Sequence, residues 1–231
     1  MDGKNNAVVL LSGGLDSAVT LALVRLQGFR VHALTIDYGQ RHSVEVHRAK
    51  HLAEWYDAEH RVLRVDLRDF GGSSLTSGIA VPKEGLTQGI PNTYVPARNT
   101  IFLSLALAWA EVLEAAVIGL GVNAIDYSGY PDCRPEYLTA FEQLARLATR
   151  AGVEGGSAPT ILAPLSGLSK TEIIRRGAEL GVPFHLTHSC YDPTPDGAAC
   201  GECDACRIRR RGFEGAGVPD PTRYRDRVET R

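Results

Sequence analysis

Apolar residues fall in short, nearly continuous runs at positions 7–11, 31–36, 62–65, 116–120 and 160–163. Between and after these runs, apolar positions recur at three- and four-residue steps over 16–27, 43–56, 100–113, 135–149 and 170–180. Short apolar runs predict strands buried on both faces, and the 3.6-residue rhythm predicts amphipathic helices. Their alternation predicts an α/β fold built on a doubly wound parallel sheet. Gly28 and Gly181 stand where a helix ends in a left-handed residue. The stretch 71–96 is rich in Gly, Ser, Thr and Pro and has no period, so it reads as a segment that covers a substrate. There is no internal repeat. In such a sheet, ligands bind at the carboxyl ends of the strands near the switch in strand order. The chain places its polar words there. The first strand feeds Ser12-Gly13-Gly14-Leu15-Asp16-Ser17, the second feeds Asp37-Tyr38-Gly39-Gln40, and the fourth feeds Gly121-Val122-Asn123.

The glycines of the first word let the backbone approach an anion closely. The helix start beyond them offers unpaired N–H groups and a favourable dipole. Ser12 and Ser17 add hydroxyls, and Asp16 is suited to hold Mg²⁺ or to cap the helix. This strand, turn and helix start resemble the pyrophosphate loop of the ATP pyrophosphatases (PP-loop enzymes). The expected ATP site is therefore Leu10, Leu11, Ser12, Gly13, Gly14, Leu15, Asp16 and Ser17, edged by Asp37, Tyr38 and Gln40. The dinucleotide fingerprint and the Walker loop both fail on spacing, since no G-x-G-x-x-G is present and no Lys follows Gly14. Cleavage between the α- and β-phosphates, giving AMP and pyrophosphate, is the expected chemistry.

Composition narrows the partners. With 25 Lys and Arg against 27 Asp and Glu, the chain has no basic excess to recruit a nucleic acid directly. The cluster at 207–211 (RIRRR) reads as a solvated helix face, as do His47 and His51. No apolar stretch approaches the roughly 20 residues of a membrane helix. Residues 1–10 carry only Lys4 as a cation and do not form a signal peptide, so a cytoplasmic location is expected.

Further polar words carry candidate chemistry. Arg98 and Asn99 open the helix after Tyr94-Val95-Pro96-Ala97. An Arg in the first turn opposes the helix dipole, which points to a clamp on phosphate or carboxylate. The loop 121–137 (GVNAIDYSGYPDCRPEY) is unusually aromatic for a surface segment. Asn123 lies at its start. Tyr127 and Tyr130 suit a flat heterocycle, Asp126 or Asp132 suits an N–H edge, and Arg134 suits a carboxylate. Cys133 has no nearby His and reads as a packed or pocket-lining thiol. Lys170 follows the capping Ser169 and also opposes its helix dipole, so it is expected to face an anion such as the attacked α-phosphate. Arg98, Ser12, Asp16, Ser17 and Lys170 form the expected catalytic set.

Four of five cysteines cluster at Cys190, Cys200, Cys203 and Cys206. Clustered thiols in a reducing compartment bind metal more often than they pair. Four thiolates also suit an iron–sulfur cluster, but a closed, soft set with two-residue gaps favours one structural Zn²⁺. The expected organisation is a nucleotide domain over 1–185 with a zinc-binding segment over 186–231 packed on it.

Taken in order, SGGLDS, DYGQRH, YVPARN, GVNAIDYSGYPDCRPEY, PLSGLSKTEI and HSCYDPTPDGAACGECDACRIRRRGF resemble the 7-cyano-7-deazaguanine synthases of the queuosine pathway. The resemblance implies an ATP-dependent ligase that joins 7-carboxy-7-deazaguanine to ammonia through two adenylations. It also implies a homodimer. The 231 residues leave no room for a glutaminase domain, so free ammonia is the expected donor. The alternative is a related PP-loop enzyme that adenylates tRNA or a protein. Near-neutral charge and the absence of a spare basic domain argue against the tRNA version.

Overall fold

A computed structural model describes residues 5–83, 89–124 and 129–225. Its strands are β1 (Asn6–Leu10), β2 (Arg30–Asp37), β3 (Glu59–Arg64), β4 (Val117–Gly119) and β5 (Thr160–Leu162). Among the described residues they form one sheet in the order β3-β2-β1-β4-β5, every pairing parallel. The principal helices are α1 (Leu15–Leu26), α2 (Val44–Trp55), α3 (Arg98–Val112), α4 (Pro135–Ala148), α5 (Lys170–Glu179) and α6 (Asp204–Ala216). The doubly wound α/β architecture read from the hydrophobic pattern is the observed one. Strand β3 alone starts three residues earlier than its apolar run, because the edge strand carries Glu59 and Arg61 rather than a buried face. Charged residues on an edge oppose pairing with another chain.

Strand β1 shows why its sequence is apolar throughout. Ala7 and Val9 enter one core with α1, α2 and α5, while Val8 and Leu10 enter the other with α3. Alternate side chains of a strand point to opposite faces, so a central strand covered on both sides needs no polar position. Helix α6 joins the first core through Phe213, which meets Phe184 edge-on at 5.2 Å. The strand order reverses between β1 and β4, and the loops after these two strands therefore open a crevice between them.

Candidate active site

The word after β1 folds as a knot of serine hydrogen bonds. Ser12 and Ser17 hydroxyls lie 3.1 Å apart, and Ser17 donates to the Gly14 carbonyl at 2.9 Å. The Ser12 amide donates to Ser17 Oγ and the Gly14 amide to Ser12 Oγ, both at 3.2 Å. Gly13 holds φ at +84°, and a Cβ there would stand 2.2 Å from the carbonyl oxygen of Glu45. Only glycine fits, and the loop is thereby pressed onto the first turn of α2. On its other side Gly13 accepts a hydrogen bond from the His188 amide at 2.9 Å. Helix α1 begins at Leu15 with no side chain capping it, so its first amides remain open to an anion.

Asp16 does not cap that helix. Its carboxylate receives Lys170 Nζ at 2.7 and 2.6 Å, and Asn123 Nδ2 at 3.4 Å. Three loops thus meet at one carboxylate, those after β1 and β4 and the one that enters α5. Lys170 owes its place to a capping box, in which Ser169 Oγ accepts from the Glu172 amide and Glu172 accepts from the Ser169 amide. Its stem is held from the far side by α6, where a Cβ on Gly212 would stand 2.6 Å from Lys170 Cγ and 2.8 Å from Ile174 Cδ1. Gly212→Ala is expected to displace the lysine. Overpacking costs about 1–3 kcal/mol, and, with Lys170 in its expected role at the α-phosphate, its misplacement costs about 100-fold in rate. The expected result is AMP formation lowered at least tenfold with unchanged metal content, checked by product assay and elemental analysis on one sample.

A cavity opens above this pair. Leu10, Leu11, Ser12, Gly14, Leu15, Asp16, Ser17, Tyr38, Gln40, Arg98, Asn123, Tyr130 and Lys170 line it, which brings most of the expected site together. Gly13 sits behind its wall. Arg98 donates to the Tyr38 hydroxyl at 3.5 Å, with its guanidinium 5.6 Å from the Tyr38 ring and 5.8 Å from that of Phe102. Burial opposes the charge of Arg98, but the phenols of Tyr38, Tyr130 and Tyr191 hold its pKa above the ordinary value. Burial also pushes the Tyr38 phenol up to about 12, so it stays a neutral donor. Tyr130 stacks on Tyr94 and shares a 3.1 Å hydrogen bond with Thr93.

Several expected residues point elsewhere. Asp37 pairs with Arg64 of the edge strand at 3.5 Å and is not in the cavity wall. Asp132 accepts from the Asn99 amide at 2.9 Å, satisfying the start of α3 instead of facing a ligand. Arg134 is exposed at the N-terminus of α4. Asp126 and Tyr127 lie outside the described residues. The basic cluster is not a solvated face, because Arg209 is 3 % exposed and paired with Asp220 at 3.1 Å, while Arg210 lies over Tyr224. Packing of α6 against α5 and the segment before Cys190 is what buries Arg209. Both His47 and His51 are exposed, as expected.

The cavity also holds groups outside the expected site set, namely His42, Glu45, Asn99, Phe102, His188 and Tyr191. Burial, and then the nearby His42, lowers His188 to about 4, which keeps its ring neutral. Withdrawal from water pushes the Glu45 carboxyl up to about 7, against the pull of Arg98. Cys133 lines the cavity as a buried thiol, 3.1 Å from Asn99 Nδ2. Within the stretch 71–96, Leu75 reaches the cavity and Val81 packs on the cysteine cluster, so its described parts bridge the two.

The four clustered cysteines are buried with their Sγ atoms all within 4.8 Å of one another. The pairs Cys200–Cys206 and Cys190–Cys203 are each 4.0 Å apart. A tetrahedron with metal–sulfur bonds of about 2.3 Å has edges of about 3.8 Å, so the set fits one tetrahedral ion. Backbone amides of Cys200 and Asp192 donate to Cys190 Sγ, and those of Glu202 and Cys203 donate to Cys200 Sγ. Such donors favour the thiolate form that a metal requires.

Comparison with known proteins supplies the family. Residues 6–217 match the family described as "Queuosine biosynthesis protein QueC". A relative from Geobacter sulfurreducens called 7-cyano-7-deazaguanine synthase is 63% identical over 219 residues, covering 94% of this chain and 92% of its own. Another of that name, from Desulfatibacillum aliphaticivorans, is 58% identical over 226 residues, covering 96% and 97%. Among solved structures, an NMN synthetase from Francisella tularensis superposes with a TM-score of 0.51 at 20% identity, covering 94% of this chain and 79% of that one. That last likeness concerns the fold alone.

Proposed function

Since the chain belongs to the family of the queuosine biosynthesis protein QueC, we propose that it is a carbon–nitrogen ligase making 7-cyano-7-deazaguanine from 7-carboxy-7-deazaguanine and ammonia. The observation that carries the reading is the meeting of the serine-glycine loop, the Lys170–Asp16 pair and Arg98 around one cavity at the β1/β4 switch. The loop amides and serines suit the pyrophosphate of ATP, and Arg98 suits the carboxylate of the substrate. A carboxylate oxygen attacks the α-phosphorus, the bond to the β-phosphate oxygen breaks, and pyrophosphate leaves on the loop. Lys170 faces the charge that builds at the α-phosphate. Ammonia then displaces AMP to give the amide. A second adenylation, on the amide oxygen, makes that oxygen a leaving group and yields the nitrile.

Asp16, a hard oxygen donor at the mouth of the loop, would hold Mg²⁺ together with the phosphates of ATP, and the ion would supply charge neutralisation there. Cys190, Cys200, Cys203 and Cys206 would hold one Zn²⁺ whose part is structural. The family resemblance brings a homodimer with it, and sedimentation velocity checks that state. Among the described residues no helix is long and apolar enough to cross a membrane.

The test is mass spectrometry of a reaction containing the protein, Mg-ATP, ammonium and 7-carboxy-7-deazaguanine. Nitrile with two AMP per molecule formed is the expected result. Intact ATP, in protein that carries its zinc, would overturn the reading.

A further inference from the structure

The ligase reading, on which this section rests, leaves one chemical requirement without a residue. At neutral pH the nitrogen arrives as ammonium and must lose a proton before it can attack. The same nitrogen must shed two more N–H protons when the adenylated amide collapses to a nitrile. A base is therefore needed beside the reacting carbon, on the side from which nitrogen enters.

The carboxylates near the cavity differ in how free they are. Asp16 is held by Lys170 at 2.6–2.7 Å, Asp37 faces Arg64, and Asp132 is engaged by Asn99. Glu45 lines the cavity, and among the described residues it makes neither a side-chain hydrogen bond nor an ion pair within 4.0 Å. It is fixed in place all the same. Its own carbonyl abuts Gly13 of the pyrophosphate loop, and Arg98 is the charge that acts on its carboxyl. Its helix thus backs the pyrophosphate loop while its carboxyl lines the cavity within the field of Arg98, the group suited to the substrate carboxylate. His42 and His188 are the other basic groups lining the cavity, but burial lowers the pKa of both, and a neutral imidazole carries no negative charge to hold ammonium. A hydrogen bond from Glu45 to the amino-pyrimidine edge of the base is less well placed. That edge is at the far end of the fused ring from the carboxyl group held by Arg98.

We propose that Glu45 forms the ammonium site and is the proton acceptor for the reacting nitrogen in both halves of the reaction. In the first half, an ammonium proton passes to the Glu45 carboxylate. Ammonia forms the C–N bond, the bond from carbon to the AMP oxygen breaks, and the surplus N–H proton leaves to water. In the second half, the amide oxygen is already joined to the α-phosphorus. Glu45 takes one N–H proton to give the neutral imidate and passes it to water. It takes the next as the C–O bond breaks, so that nitrile and AMP separate. A carboxyl whose pKa lies near neutrality can accept each proton and release it again before the next.

The test uses full-length, zinc-loaded protein with Glu45→Gln and Glu45→Asp. Adenylation alone is read by exchange of labelled pyrophosphate into ATP with 7-carboxy-7-deazaguanine and no ammonium. Nitrogen transfer is read as kcat/KM for ammonium. Nitrile formation is read again with the amide supplied as substrate. For Glu45→Gln, kcat/KM for ammonium is expected to fall about 10²–10⁴-fold, far more than the exchange. Turnover of the amide should fall with it, and Glu45→Asp should recover part of both. Equal loss of exchange and ammonium transfer would overturn the assignment and make Glu45 a contact to the base. An unchanged kcat/KM for ammonium would overturn it outright. Absence of exchange in the parent protein would instead overturn the ligase reading itself.

Discussion

Lys170→Met is expected to slow AMP formation about 10²–10³-fold while lowering the melting temperature by only a few degrees. The rate effect follows from position. Lys170 enters α5 in its first turn, where the helix dipole disfavours a cation, and its ammonium is directed at Asp16 beneath the cavity. Removing one charge aimed at a developing oxyanion costs about that much in kcat. Methionine keeps an unbranched apolar stem, so the seat formed by Gly212 and Ile174 remains filled. Asp16 loses its ion partner, but its side chain is 27% exposed and Asn123 still reaches it. The fold therefore bears little of the cost. Pyrophosphate exchange and thermal unfolding on the same preparation separate the two effects. An unchanged exchange rate would remove Lys170 from the chemistry, and a collapse of the fold would make its role structural.

The architecture was legible because β1 and β2 each supply side chains to two cores, and a strand buried on both faces cannot conceal that in its composition. The loop was legible because Gly13 is required by a 2.2 Å approach and the two serines by their mutual hydrogen bonds. The pocket residues were less so. Asp132 reads in sequence as a free acid in an aromatic loop, and only the docking of that loop on α3 engages it with Asn99. Asp37 follows a strand that opens on the cavity, yet its side chain takes Arg64 from the neighbouring strand. Glu45 reads as a favourable charge in the first turn of α2, and nothing local reveals that this turn lies on the pyrophosphate loop. The basic cluster held a usable signal. Cys206, Arg209 and Phe213 recur at three- and four-residue steps and share one buried face of α6, so helical spacing marks Arg209 as different from the exposed Arg211.

Loss of the proposed zinc should unfold the C-terminal segment and, through it, silence the active site. The described residues around Cys190, Cys200, Cys203 and Cys206 form a small cluster with little besides Val81 and Ala199, too few apolar groups to hold four thiols together. A structural zinc site contributes about 10–16 kcal/mol of apparent binding energy in isolated zinc fingers. Even a modest share of that corresponds to a drop of roughly 10 °C or more in a chain of this size. The consequence reaches the cavity because α6 starts immediately after Cys203, carries Cys206, and presses Gly212 against the stem of Lys170. Elemental analysis is expected to find one zinc per chain in the parent. Cys203→Ser should lose it together with AMP formation, whereas Cys133→Ser, outside the cluster, should retain it. Chelation followed by zinc addition should restore stability and turnover in parallel. Turnover that survives in metal-free protein would mean that α6 keeps its seat on Lys170 through Phe213 and the Arg209–Asp220 pair alone.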